Sequence, residues 1–291
     1  MKGIILAAGA GTRLYPATFP VSKILLPVYD RPMIYYPLST MISAGINDIL
    51  VITNEKDLDN FKRTLGDGSN FGIKIEYTIQ YVQRGISDAF IISENWINGE
   101  RVSLILGDNI FYGEKIDKII TDASKIDSGA VIFGYNVPDP ERFGVIEFDG
   151  KMKVLSLEEK PLCPKSNYIA VGLYFYDGHA SEFAKTLRPS SRGELEITDL
   201  NIKYLEENRL SVKIFDEDIR WIDAGTFESL LTASSFIHEE EKRLGKKIMC
   251  PELIALRRGL ITEEKLIAIC DSNKNSEYYK DIKKEIELSH S

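Results

Sequence analysis

Short apolar runs recur through the first half of the chain, each followed by residues whose apolar positions fall at helical spacing. Residues 3–6, 46–53, 74–80, 102–106 and 130–135 read as strands rich in Ile, Val and Leu. Asp57 is placed to cap a helix running to about Leu65, and a further helix is predicted over 87–95. Apolar strands alternating with helices of about 10–15 residues predict right-handed βαβ units and a parallel sheet.

After Tyr135 the texture changes. Residues 144–148 and 154–159 flank an Asp149-Gly150 turn and read as a hairpin, with another strand at 172–176. From Thr226 onward helical spacing dominates, and the Lys/Glu-rich end predicts a peripheral helix with a frayed tail. The expected fold is α/β and Rossmann-like: a predominantly parallel mixed central sheet flanked by helices, an inserted β-rich lobe and a helical C-terminal segment. We read residues 1–240 as a single domain, with halves at about 1–135 and 136–225, and residues 241–291 as a helical extension.

Composition removes several function classes. The 291 residues, 44% hydrophobic and 27% charged, are ordinary for a soluble globular chain. A net charge of −8 argues against non-specific nucleic-acid binding. No apolar stretch reaches the ~20 residues of a membrane span. Cys163, Cys250 and Cys270 are odd in number and widely spaced, which points to reduced thiols of a cytoplasmic protein. His179, His238 and His290 have no serine or cysteine partner at triad spacing.

The chemistry concentrates where the first strand ends, in Leu6-Ala7-Ala8-Gly9-Ala10-Gly11-Thr12-Arg13-Leu14-Tyr15. Glycines and small alanines let backbone N–H groups approach a phosphate closely, while Arg13 and, further on, Lys23 add cations. The loop matches neither the Walker A pattern nor the dinucleotide fingerprint. Asp108 follows a predicted central strand and Asp223 precedes a helix; two carboxylates beside a polyphosphate loop suit a shared Mg²⁺. In Glu158-Glu159-Lys160-Pro161, strand alternation puts Glu158 and Lys160 on one face and Glu159 on the other. A lysine there suits a phosphate and a glutamate suits sugar hydroxyls, but a solvated charge cluster fits the tetrapeptide as well. Gln80 has the donor and acceptor needed to read a pyrimidine edge, a role that spacing alone leaves open. Arg192 is equally ambiguous in isolation.

Longer motifs go further. Val21-Ser22-Lys23, Arg31-Pro32-Met33-Ile34-Tyr35-Tyr36-Pro37-Leu38, Leu106-Gly107-Asp108-Asn109-Ile110-Phe111-Tyr112-Gly113, Leu157-Glu158-Glu159-Lys160-Pro161 and Arg192-Gly193-Glu194-Leu195-Glu196-Ile197-Thr198-Asp199 resemble the thymidylyl branch of the sugar nucleotidyltransferase family, a likeness that runs to about Ile261. The resemblance implies a nucleotide half at about 1–135, a sugar-binding lobe at about 136–225, and conversion of dTTP and glucose 1-phosphate to dTDP-glucose and pyrophosphate. By it, Ala8, Gly9, Gly11, Thr12, Arg13 and Lys23 hold the triphosphate, Gln80 and Gly85 the base, and Asp108 and Asp223 the Mg²⁺. Asn109, Gly144, Glu159 and Val171 contact the sugar, and Lys160 and Arg192 its phosphate; Arg13, Lys23, Asp108, Lys160 and Asp223 carry the catalysis.

The resemblance also implies a homotetramer (a dimer of dimers) with a second nucleotide site near Tyr112, Gly113 and residues 250–257, and a product used in dTDP-rhamnose and surface-polysaccharide synthesis. Ile24 replaces a usual glutamine and is expected to remove a polar contact near the nucleotide. Phe143 replaces a tyrosine, Ala170 alters the sugar pocket, and Leu253 replaces a glutamate, which predicts weaker feedback. UTP, another hexose 1-phosphate, or a non-catalytic sensor of nucleotide sugars remain as alternatives.

Overall fold

The computed structural model describes residues 1–288; His290 and the end of the expected frayed tail lie outside the described residues. The first half lays down β1 (Lys2–Leu6), a small ribbon of β2 (Pro27–Val28) and β3 (Arg31–Pro32), α1 (Tyr35–Ser43), β4 (Asp48–Thr53), α2 (Leu58–Leu65), β5 (Lys74–Ile79), α3 (Asp88–Ile92), α4 (Glu94–Ile97) and β6 (Val102–Leu106). Strands β5, β4, β1 and β6 pair in parallel in that order, with Ile4 registered between Leu50 and Leu104. The chain therefore steps outward from β1 to β5, then returns to the other side of β1 for β6. Loops leaving β1 and β6 diverge at this reversal and open a crevice at the carboxyl ends of the strands.

Next come β7 (Asn109–Tyr112), α5 (Ile116–Ala123), β8 (Ala130–Asn136), β9 (Gly144–Phe148), β10 (Val154–Glu159) and β11 (Tyr168–Tyr176). Strand β11 runs antiparallel to β6, β8 and β9, and the β9–β10 hairpin extends the sheet beyond it. After α6 (Ala180–Thr186) and α7 (Ile197–Glu206), β12 (Leu210–Ile214) pairs in parallel with β8. β13 (Arg220–Asp223) leaves the main sheet and pairs antiparallel with β7, so that Asp223 faces Asn109. Helices α8 (Phe227–Leu244), α9 (Pro251–Arg257), α10 (Glu263–Ser272) and α11 (Glu277–Leu288) complete the chain. This is the expected α/β fold with a mixed central sheet and helices on both faces.

Alternation along the strands builds two cores. Ile5, Val51 and Ile105 join one cluster with Leu38 of α1 and Ile282 of α11, while Ile4, Ile52 and Leu104 join the other with Phe90 and Tyr204. The helix predicted over 87–95 is divided: the Ser93 hydroxyl donates to the Ala89 carbonyl, a local bond that competes with the helical ladder. Asn54, not Asp57, caps the turn entering α2, accepting the Asp57 N–H at 3.0 Å. Cys163 is exposed and Cys250 and Cys270 are buried. Among the described residues, no helix is long and apolar enough to cross a membrane.

Candidate active site

The loop after β1 begins by leaving the sheet: the Ala7 N–H donates to the Ile52 carbonyl of β4. Gly11 then takes φ +66°, a left-handed conformation that costs glycine little, and its carbonyl accepts the Thr18 hydroxyl at 2.8 Å. That reversal starts the short turn Thr12–Leu14, which buries Leu14 and leaves Arg13 on the open side. Ala8 is buried at the base of the loop, Gly9 is exposed and Gly11 is partly covered.

Lys23 opens the next turn, Lys23–Leu25, capped by the Ser22 side chain. The Asp57 carboxylate, buried and itself held by Asn54 Nδ2 at 2.9 Å, accepts the Ser22 N–H at 3.0 Å. This clasp fixes the turn so that Lys23 Nζ reaches Asp108 Oδ2. Asp57→Ala is expected to cost about 1–3 kcal/mol, because it strands a buried N–H; urea unfolding checks it, and an unchanged midpoint would mean the clasp is not holding the turn. Ile24 packs in the core against Gly107 and is 1% exposed, so it faces away from the crevice.

Asp108 sits just beyond β6, its Oδ1 accepting Asn109 Nδ2 at 3.1 Å. Burial alone would raise its pKa; the Lys23 ammonium and the bonds from Lys23 and Asn109 hold it below the ordinary value. Asp223 is pushed up to about 6, first by burial and then by the neighbouring Asp108 charge, with Lys23, Arg13 and Arg142 pulling the other way. Gly225 leaves the space into which Arg13 extends: a Cβ there would stand 2.7 Å from Arg13 Nη2 and 3.1 Å from Asp223 Oδ1.

One cavity of about 370 Å³ gathers Arg13, Asp108, Asn109, Gly144, Glu159, Lys160 and Asp223. Asn109 is held from three sides: Oδ1 accepts Trp221 Nε1 at 2.6 Å and the Gly172 N–H at 3.2 Å, while Nδ2 faces Asp108. Glu159 Oε2 accepts the Thr198 hydroxyl at 2.5 Å, and its Oε1 stands 3.6 Å from Arg192 and 3.8 Å from Lys160. The strand-alternation expectation for Lys160 is corrected. Lys160 lies beyond β10 at φ +47°, and that left-handed turn puts it on the cavity wall with Glu159.

The remaining expected residues are not among those that line this cavity. Val171 is packed in the core, but its neighbours Ala170 and Gly172 line the wall. Arg192 is clasped by Glu196, with Nη2 at 2.8 and 2.9 Å from its two oxygens. Thr12 is exposed at the loop rim. Gln80 is buried beyond β5, donating to Asp88 Oδ2 at 3.0 Å. Gly85 has φ +101°, and a Cβ there would meet the Leu195 carbonyl oxygen at 2.4 Å, so only glycine lets these loops touch.

Sequence reasoning missed Arg142, Thr198 and Trp221 as wall residues. Thr198 stands inside a quoted motif, but nothing in the types of these three residues marks them. Phe143 also lines the wall, its ring edge-on to Trp221. A second cavity of about 380 Å³ takes in Tyr112, Gly113, Ile254 and Arg257 together with Arg243 and Lys246; Leu253 is buried in the core.

A strand-end crevice holding a small-residue loop, fixed cations and paired carboxylates defines an enzyme that handles phosphate groups. Residues 2–240 match the family described as nucleotidyl transferase, and the chain belongs to that family. Among its relatives, the glucose-1-phosphate thymidylyltransferase of Neisseria meningitidis is 52% identical over 278 residues, covering 96% of each chain. That of Mycobacterium tuberculosis H37Rv is 49% identical over 267 residues, covering 92% of each. A Bacillus anthracis protein assigned as a glucose-1-phosphate thymidylyltransferase, solved with sucrose, superposes with a TM-score of 0.75 at 40% identity, over 81% of this chain and 94% of that one. A UDP-glucose pyrophosphorylase solved with UDP-glucose shares the fold at 22% identity and a TM-score of 0.72, over 82% of this chain and 98% of that one.

Proposed function

We propose that this chain transfers a thymidylyl group from dTTP to glucose 1-phosphate. A phosphate oxygen of the sugar phosphate bonds to the α-phosphorus as the bond to pyrophosphate breaks, giving dTDP-glucose and pyrophosphate. The observation that carries this reading is the single cavity in which triphosphate-type groups (Arg13, Asp108, Asp223) meet sugar-type groups (Asn109, Glu159, Lys160).

The attacking phosphate is already anionic, so no general base is required. Two anions must instead be brought together and aligned in line. Loop N–H groups around Gly9 and Gly11 and the cation of Arg13 hold the triphosphate. Lys23 stands against the charge that develops at the α-phosphate. Gln80 and Gly85 receive the base. Asn109 and Glu159, each fixed by neighbouring bonds, take sugar hydroxyls, with backbone groups of Gly144 and Val171 beside them. Lys160 and Arg192 take the sugar's phosphate, Arg192 exchanging one of its glutamate partners for it.

The pair Asp108–Asp223 fits a divalent cation: both donors are hard oxygens, and burial together with the neighbouring Asp108 charge pushes Asp223 up despite Lys23, Arg13 and Arg142, a strain that a cation between the two carboxylates would relieve. Mg²⁺ bound there would withdraw charge from the reacting phosphate oxygens. The same reading takes residues 1–240 as the catalytic unit, places the protein in the cytoplasm and makes it a homotetramer; Phe227 and Leu231, exposed one turn apart on α8, suit such an interface.

Pyrophosphate release, with dTTP, UTP and dCTP crossed against glucose 1-phosphate and other hexose phosphates, tests the reading. The dTTP–glucose 1-phosphate pair is expected to lead. Another leading pair would move the specificity, and nucleotide binding without release from any pair would overturn the activity.

A further inference from the structure

We propose that Asp88 sets the base preference of the site by fixing which end of the Gln80 amide faces the crevice. The inference rests on the reading of Gln80 as the base contact. Gln80 follows β5, its N–H donating to the Thr53 carbonyl at 2.8 Å. One end of its amide stands 3.0 Å from Asp88 Oδ2 and 3.5 Å from the Gly85 carbonyl oxygen. Both neighbours are acceptors, so that end is the NH₂ group; the oxygen would be repelled there. Gln80 Oε1 is left as the free end, and among the described residues no hydrogen bond to it is made.

Asp88 cannot swing away. Its carboxylate is buried, and Oδ1 accepts Arg84 Nη2 at 2.8 Å. The segment around it is tied down from behind: the Leu195 N–H donates to the Arg84 carbonyl at 2.6 Å, the Ser87 N–H to the Leu195 carbonyl at 3.1 Å, and the Ser87 hydroxyl to the Glu196 carbonyl at 2.9 Å. In front, Gln83 Nε2 donates to the Ala8 carbonyl at 2.8 Å, which sets this loop against the phosphate loop. A pyrimidine seated between them meets an amide acceptor. Thymine and uracil carry a ring N–H that suits it, whereas cytosine presents a ring acceptor that does not.

In Asp88→Asn, the Arg84 guanidinium, which only donates, claims the new amide oxygen. The new NH₂ group then faces Gln80, whose amide turns over and presents its donor to the crevice. The ratio of kcat/KM for dTTP over dCTP, both with glucose 1-phosphate, is expected to fall about 100-fold, as loss of one bond and gain of an unpaired polar group would give. Adding Arg84→Met to that variant frees the introduced amide oxygen to turn back to Gln80, and about tenfold of the preference is expected to return. Asp88→Ser, which removes the acceptor pair without supplying a competing amide, is expected to lower the ratio about tenfold and serves if Asp88→Asn does not fold. A wild-type enzyme that prefers dTTP, with the same preference in both Asp88 variants, overturns this proposal and leaves the function intact. A wild-type enzyme that turns over no thymidine or uridine nucleotide overturns both.

Discussion

Lys23→Ala is expected to lower kcat for pyrophosphate release by about a thousandfold while changing either KM much less. Lys23 is a fixed cation, set by a turn that Ser22 caps and Asp57 clasps, and it bonds to the buried carboxylate of Asp108. Its charge therefore does its largest service when negative charge gathers at the α-phosphate, which is what lowers kcat when it is removed. A further loss comes through Asp108: burial raises that carboxyl once its first counter-charge is gone. Steady-state kinetics with dTTP and glucose 1-phosphate measure the split. A fall of less than about tenfold, or one confined to KM, would remove Lys23 from the reacting centre.

Asp223→Asn carries the second large effect, and it separates activity from stability. Turnover is expected to fall by at least about a hundredfold, because one of the two oxygen donors of the cation site is lost. The fold, in metal-free buffer, is expected to gain. The folded-state pKa of Asp223 is raised from 3.8 to about 6, so its ionised form is the disfavoured one in the native protein. Stability from this group is fully present below about pH 4 and is lost as pH rises through about 6. The asparagine variant should thus melt about 3 °C higher at pH 7.5 and show no gain at pH 4. A variant that melts lower at pH 7.5 would mean that Asp223 is a stabilising contact and not a strained charge.

The parallel half of the sheet was legible because β1, β4 and β6 are buried on both faces and its strands are punctuated by turns. The short strands were not. β7 and β13 have four residues each and mix apolar with polar types, so no period emerges, yet their pairing is what brings Asp223 opposite Asn109. β12 is mostly half-buried and carries a weaker signal. The candidate phosphate loop could be proposed from its local motif, because the small-residue turn after β1 is joined to Arg13 and followed by Lys23. Lys160 could be named but not aimed, because one left-handed residue cancels strand alternation. Asp57 illustrates the harder case. An aspartate before a helix reads as a cap, and only the tertiary fold shows that a neighbouring asparagine does the capping while Asp57 reaches back to Ser22.

The seam between β6 and β11, where parallel pairing gives way to antiparallel, has a consequence for how such a molecule diversifies. On one side of it stand the loops proposed to grip the donor; on the other stand the hairpin and helix α7 that supply Gly144, Glu159 and Thr198. Apart from Asn109, which adjoins Asp108, the groups proposed for the acceptor lie on different stretches of chain from those proposed for the donor, so most mutations that reshape the acceptor's chamber need not pass through the donor's machinery. Drift on one bank leaves the other in working order. A scaffold divided in this way can try new acceptors one substitution at a time without first losing the chemistry that makes any acceptor useful.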